Sequence, residues 1–146
     1  MNVLVYARVS KDRFGDERSP ARQEAACRSY AEAREWVVVS AHRDVDASAF
    51  KPSARPGLDA VLDLVAAGGV DAIIVWKLDR LVRRSRDFER IWSICETTGT
   101  ALVSVTEPID TSTELGLAFV RILVTFATLE SANKSERLRA AYREEA

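Results

Sequence analysis

Short apolar runs alternate with segments of helical period along most of this chain, and the alternation sets its layers. Val3, Leu4 and Val5 open the first run, which continues through Tyr6-Ala7-Arg8-Val9-Ser10 before the chain turns abruptly polar at Lys11-Asp12-Arg13-Phe14-Gly15-Asp16. The run is short and has no helical period, so it predicts a buried strand. Ser19-Pro20 has the form of an N-cap followed by a first-turn proline and predicts a helix to about Arg34. Ala21, Ala25, Ala26, Ser29 and Ala33 give that helix a face of small residues, with Arg22 and Gln23 in its first turn. Trp36 to Ser40 predicts a second strand, leading through His42-Arg43 into a polar loop that reaches Arg55. Pro56 starts a second helix with the apolar face Leu58, Val61, Leu62 and Val65, and Gly68-Gly69 stops it. Val70 to Trp76 predicts a third strand, in which Ile73-Ile74-Val75 is apolar enough to be central. A third helix from about Arg86 to Thr98 carries Phe88, Ile91, Trp92 and Cys95 at helical spacing, and Ala101 to Val105 predicts a fourth strand. Strand and helix in alternation argue for an α/β fold, with a mostly parallel central sheet flanked by helices.

The last third departs from that pattern. Between Thr113 and Glu145 only Gly116 interrupts helix-forming sequence, so one long C-terminal helix is expected there. Its first half is apolar on more than one side: Leu115, Leu117, Phe119, Val120, Ile122, Leu123, Val124, Phe126 and Leu129. A helix apolar over most of its circumference must be buried over most of it. The body of the domain covers one side, which leaves the other for a partner subunit. From Glu130 onward the sequence is polar and is expected to leave the body. The chain thus divides into an α/β body over 1–112 and a long helix over 113–146 belonging to the same domain.

Composition narrows the function by exclusion. A chain of 146 residues is one ordinary domain. Its net charge of −1, with both signs abundant, announces no polyanion partner, so any nucleic-acid contact must come from local clustering. Cys27 and Cys95 have no paired spacing and no signal peptide precedes the first strand, which fits two reduced thiols in a cytoplasmic protein. No apolar run approaches the roughly 18 residues that span a bilayer, so no membrane is expected. One histidine and no Cys/His cluster leave no zinc site to expect.

Local clustering is where the chemistry shows. In open α/β sheets, ligands collect just outside the carboxyl ends of the strands. The first strand ends there with the Ser10 hydroxyl, and Arg8 lies two residues back on the same strand face. Taken alone, that pair is as well explained by a strand end and a surface ion pair. The third strand, however, runs into Lys77-Leu78-Asp79-Arg80-Leu81-Val82-Arg83-Arg84, and Lys77 to Arg90 holds six basic residues against three acidic ones. Arg80 and Arg83 share a face in a turn of helix and can address one anion. A guanidinium fork matches phosphate oxygens, and prepositioned arginines stabilise the charge that builds on them during attack at phosphorus.

These residues together carry a resemblance. YARVS at 6–10 followed by DRLVR at 79–83 resembles the catalytic domain of the serine recombinases, the family of resolvases, invertases and large serine integrases. Arg22-Gln23, the Asp44-Val45-Asp46-Ala47-Ser48-Ala49 loop, Arg55-Pro56-Gly57-Leu58, and Leu129-Glu130-Ser131 with Glu136-Arg137 match further family features in order, across essentially the whole chain. The resemblance implies a resolvase-like catalytic fold and a bacterial or phage-encoded protein acting on double-stranded DNA. It implies that Ser10 attacks a DNA phosphodiester, leaving a 5′-phosphoserine link that is rejoined without ATP, metal or other cofactor. Arg8, Arg80 and Arg83 would hold the phosphate, while Asp79 would position them or shuttle a proton. Tyr6, Gln23, Asp44, Ser48 and Arg55 would support the pocket. The long helix would serve a homodimer and a synaptic homotetramer and approach DNA, through Phe119, Ile122, Phe126, Glu130, Glu136 and Arg137.

The match is incomplete in places. Glu130 is followed by Ser131 where resolvases place an arginine, and both Asp44 and Asp46 fit the loop acid, of which Asp44 is preferred. The long Lys11–Arg22 loop and Arg55-Pro56-Gly57 favour the large integrase or transposase branch. The chain stops at Ala146 inside the polar stretch, with no helix-turn-helix or zinc ribbon, and is expected to be the catalytic part of a longer protein. A catalytically silent assembly module on the same fold is the competing reading, and the retained set of Arg8, Ser10, Asp79, Arg80 and Arg83 argues against it. A flavodoxin-like receiver lacks its glycine-rich phosphate loop here, and a serine hydrolase lacks its Gly-x-Ser-x-Gly elbow.

Overall fold

The computed structural model describes residues 1–10, 19–46, 55–78, 85–107, 109–126 and 128–129, with the backbone alone at Val9, Ser10, Asp46 and Ser85. Strand β1 (Asn2–Ser10) leads to helix α1 (Pro20–Ala33) and strand β2 (Val37–Asp46). Helix α2 (Pro56–Ala67), strand β3 (Ala72–Val75), helix α3 (Ser85–Thr98) and strand β4 (Ala101–Ser104) follow. A two-residue strand β5 (Ile109–Asp110) precedes a last helix over 114–126. The sheet order is β2-β1-β3-β4-β5, parallel except for the β4–β5 pair.

This order reverses direction at β1: the chain steps outward to β2, then returns to the far side of β1 as β3. Right-handed crossovers therefore put α1 on one face of the sheet and α2 and α3 on the other. The two cores follow this division. Val3, Val5, Ala72, Ile74, Ala101 and Val103 pack with Cys27 and Ala31 of α1. The alternate strand positions Leu4, Tyr6, Ile73, Val75 and Leu102 pack with Leu58, Val61 and Val65 of α2 and with Phe88, Ile91, Trp92 and Cys95 of α3. The reversal leaves a crevice at the carboxyl ends of β1 and β3, where open α/β sheets hold their ligands.

Two features differ from the sequence expectation. Strand β2 runs on to Asp46, pairing through Ser10↔Asp46, well past the apolar run that predicted it. It is an edge strand, so one side is free to carry polar residues such as His42 and Arg43, and the apolar pattern that marks central strands fades early. In α1 the stripe that packs on the sheet is Gln23, Cys27 and Ala31, while Ala21, Ala25, Ser29 and Ala33 face solvent. Small residues on a helix do not choose its buried side; the i, i+4, i+8 run of Gln23, Cys27 and Ala31 does.

Gly116 brings the last helix close to the sheet, since a Cβ there would collide with the Asp110 backbone. Val120 enters the α2/α3 core, with Leu117, Leu123 and Val124 packed against it. Leu115, Phe119, Ile122, Phe126 and Leu129 are exposed, Leu115 at 82% and Phe126 at 64%. The helix is therefore apolar on both sides and covered on one, as its sequence pattern implies.

Both cysteines are buried free thiols, and burial pushes each up to about 12. The folded values lie above the ordinary thiol value of 9.0, so this contribution to stability is full below about pH 9 and is lost as pH rises towards 12. At pH 8, Ellman's reagent is expected to leave Cys27 and Cys95 unmodified in the folded chain and to titrate both in denaturant. Rapid modification without denaturant would contradict the packing.

Candidate active site

Three elements of the α2/α3 side send polar side chains to the carboxyl end of β1. Tyr6 is buried, and its hydroxyl donates to Asp44 Oδ2 at 2.7 Å. The same oxygen accepts the Leu58 N–H at 2.9 Å, and Asp44 Oδ1 accepts the Gly57 N–H at 2.8 Å. Asp44 thus caps α2 from β2, a distant strand. Pro56 has no N–H to offer, and Arg55, at the N-cap position, makes no side-chain cap of its own. A carboxylate suits this place because the first-turn amides and the helix dipole both favour negative charge. Gly57 is required by the approach: a Cβ there would lie 2.9 Å from Asp44 Oδ1 and 2.8 Å from the Arg43 carbonyl oxygen. Burial, and then donation to the Asp44 carboxylate, pushes Tyr6 well above the ordinary tyrosine range. The phenol is therefore a fixed hydrogen-bond donor at any working pH.

Arg8 stands two residues further along β1 than Tyr6 and so shares its face of the sheet. Arg55, at the start of α2, donates from Nε to Asp87 Oδ2 at 3.0 Å, and Arg8 Nε lies 3.9 Å from the same oxygen. All three side chains are nearly buried, with exposures of 10% for Arg55, 11% for Asp87 and 12% for Arg8. At the neighbouring strand ends, Glu107 accepts the Leu78 N–H at 3.0 Å and the Ser104 hydroxyl, which ties the exit of β3 to that of β4.

Of the residues anticipated from the sequence, Tyr6, Asp44, Arg8 and Arg55 are thus brought into two adjoining clusters, one around Asp44 and one around Asp87. Of the two candidate loop acids, Asp44 is the one whose side chain is described, and it is buried and bonded. Gln23 is buried on α1, on the opposite face of the sheet, with its backbone N–H donating to the Ser19 carbonyl. Ser10 is the last residue of β1, and its side chain lies outside the described residues, as do Ser48, Asp79, Arg80, Arg83, Glu130, Glu136 and Arg137. Phe119, Ile122 and Phe126 sit apart from the clusters, on the exposed side of the last helix. Asp87 was not anticipated. Its signal was present: four residues before Ile91 and eight before Cys95, it is a charged residue on the core-facing stripe of α3. Among the described residues, no helix is long and apolar enough to cross a membrane, and no group of His, Cys, Asp and Glu could hold a metal ion.

The family model for the resolvase N-terminal domain matches residues 3–146. The chain belongs to the resolvase family. Within it, the chain is 37% identical over 95 residues to a DNA-invertase of Escherichia phage P1, an alignment covering 65% of this chain and 50% of that protein. The chain accordingly spans about half the length of the curated relatives it matches. Among solved structures it is similar to the N-terminal catalytic domain of TP901-1 integrase, with a TM-score of 0.73, 28% identity, and coverage of 90% of this chain and 98% of that one. A resolvase family site-specific recombinase from Streptococcus pneumoniae shares the fold, with a TM-score of 0.74 at 21% identity over 99% of this chain and 94% of that one. For this resolvase-family chain, the α/β architecture expected from the sequence is the architecture found.

Proposed function

We propose that this chain is the catalytic part of a serine recombinase that cuts and rejoins double-stranded DNA at specific sites. In this reading the Ser10 Oγ attacks a backbone phosphorus, the bond from phosphorus to the 3′-oxygen breaks, and the 5′-phosphate remains on the serine. The serine proton leaves and the departing 3′-oxygen gains one, so no ATP, metal or other cofactor takes part. The covalent link keeps the bond energy for rejoining to a new 3′-hydroxyl. Arg8, Arg80 and Arg83 hold the phosphate, and Asp79 positions them or carries a proton. Tyr6, Gln23, Asp44, Ser48 and Arg55 support the pocket. The observation that carries the reading is the set of buried guanidinium and carboxylate groups gathered at the carboxyl end of β1, the strand that terminates in Ser10. Family membership and the likeness to an integrase catalytic domain support it.

The exposed apolar side of the last helix supports a second copy as partner, with Phe119, Ile122 and Phe126 at the contact and Glu130, Glu136 and Arg137 serving the tetramer and the approach to DNA. The test of the chemistry is capture of covalent complexes from cells expressing the full-length protein, with the attached DNA ends sequenced. The expected ends cluster at a defined site, with protein on the 5′ side and a free 3′-hydroxyl. Linkage to the 3′ side, or no covalent complex, would overturn the mechanism.

A further inference from the structure

One buried charge has no role in the chemistry above. Asp87 stands in the first turn of α3, buried on a helical stripe otherwise given to the core. A carboxylate there is costly unless compensated, and two guanidiniums from separate parts of the chain compensate it. Arg55, from the start of α2, hydrogen-bonds Oδ2 through Nε at 3.0 Å, and Arg8, from β1, turns its Nε to the same oxygen at an ion-pair distance of 3.9 Å, without a hydrogen bond there. Asp87 lies in the first turn of α3, and the fixed backbone of the helix holds it in place. Two guanidiniums therefore meet one carboxylate beside the end of β1. A long arginine side chain carries about 2 kcal/mol of rotamer entropy, and the buried Nε hydrogen bond of Arg55, with the ion-pair attraction on Arg8, removes part of it before any ligand arrives. It also fixes the plane of the guanidinium, on which bidentate contact with a phosphate depends.

We infer that Asp87 is a positioning residue, which orients Arg8 and Arg55 for the scissile phosphate and joins β1, α2 and α3 into one preset anion site. The inference rests on the phosphoserine reading, because it names the phosphate as the ligand those arginines wait for. Asp87→Asn keeps the size and one acceptor oxygen and removes the charge that aligns both arginines.

The experiment uses the full-length protein and a duplex carrying the mapped site, with the scissile phosphate either native or replaced by an uncharged methylphosphonate. Asp87→Asn is expected to slow adduct formation at saturating native DNA by about 10- to 100-fold, the scale of losing alignment of charge-assisted hydrogen bonds. The DNA concentration for half-maximal rate should change little. On the methylphosphonate, which puts less charge before the arginines, the ratio of wild-type to variant rates should shrink towards one. Asp87→Glu, which keeps the charge one methylene further out, should recover part of the rate, and it carries the same two-substrate comparison if Asp87→Asn does not fold. An equal loss on both substrates would mark a structural role only and overturn the inference, as would wild-type rates in both variants. If the wild-type protein forms no adduct on either duplex, the phosphoserine reading itself fails and the inference falls with it.

Discussion

Ser10→Ala is expected to abolish the covalent protein–DNA complex while leaving the fold and DNA binding in place. The substitution removes the attacking oxygen of the proposed step, the one that ends with DNA attached to the protein. Adduct yield on a nicked duplex that traps the cleaved state should drop by more than about 1,000-fold, to the floor of the assay. Ser10 is the last residue of β1 and the change is a single hydroxyl, so melting should stay close to wild type. Persistence of the adduct in this variant would move the nucleophile elsewhere. In the proposed mechanism, Arg80→Lys separates charge from shape at the phosphate. Lysine keeps the positive charge and loses the planar fork, at a cost of about 2 kcal/mol, or roughly 30-fold in rate. Wild-type cleavage by Arg80→Lys would show that a point charge suffices and would remove the fork from the mechanism.

The layers of this molecule were legible because each rests on a strong local signal. Ile73-Ile74-Val75 has the continuous apolar run of a central strand, and Leu58, Val61 and Val65 have the period of a helix lying on a sheet. The end of β2 was less legible, since an edge strand tolerates the polar sequence His42-Arg43-Asp44 that also suits a loop. Strand β5 is two residues long and exists through its pairing with β4, which no local pattern encodes. The site divides in the same way. Arg8 stood out by residue type and neighbourhood and Asp44 through the family resemblance, but their contacts with Asp87, Gly57 and Leu58 join residues 13 to 79 positions apart in sequence. Backbone amides carry no side-chain signature, and Asp87 was masked by a first helical turn where an acid is ordinary. Only its place on the core-facing stripe set it apart.

Asp44 should prove the most expensive single polar residue to remove. Its two oxygens satisfy the Tyr6 hydroxyl and the N–H groups of Gly57 and Leu58, and Asp44 is itself only 4% exposed. Asp44→Ala leaves three donors without that acceptor at the junction of β1, β2 and α2. A buried unsatisfied donor costs about 1–3 kcal/mol, and partial access of water to the first turn of α2 offsets some of it, so a loss of about 3–5 kcal/mol is expected. Against a typical domain stability of about 5–15 kcal/mol, this is a large fraction, and it corresponds to a fall of about 10 °C or more in Tm. Asp44→Asn rescues little, because its amide NH₂ must face either the Gly57 N–H or the donors at the other oxygen. Tyr6→Phe removes one donor and leaves the helix cap intact, so it should cost only about 1 kcal/mol. Gly57→Ala should fall between the two, since its new methyl pushes against the Asp44 carboxylate and the Arg43 carbonyl without deleting either. Thermal melts of the four variants test that order directly. An Asp44→Ala chain that melts within a degree or two of wild type would show that water satisfies the start of α2 unaided. In that case Asp44 would owe its place to the phosphate site and not to the fold.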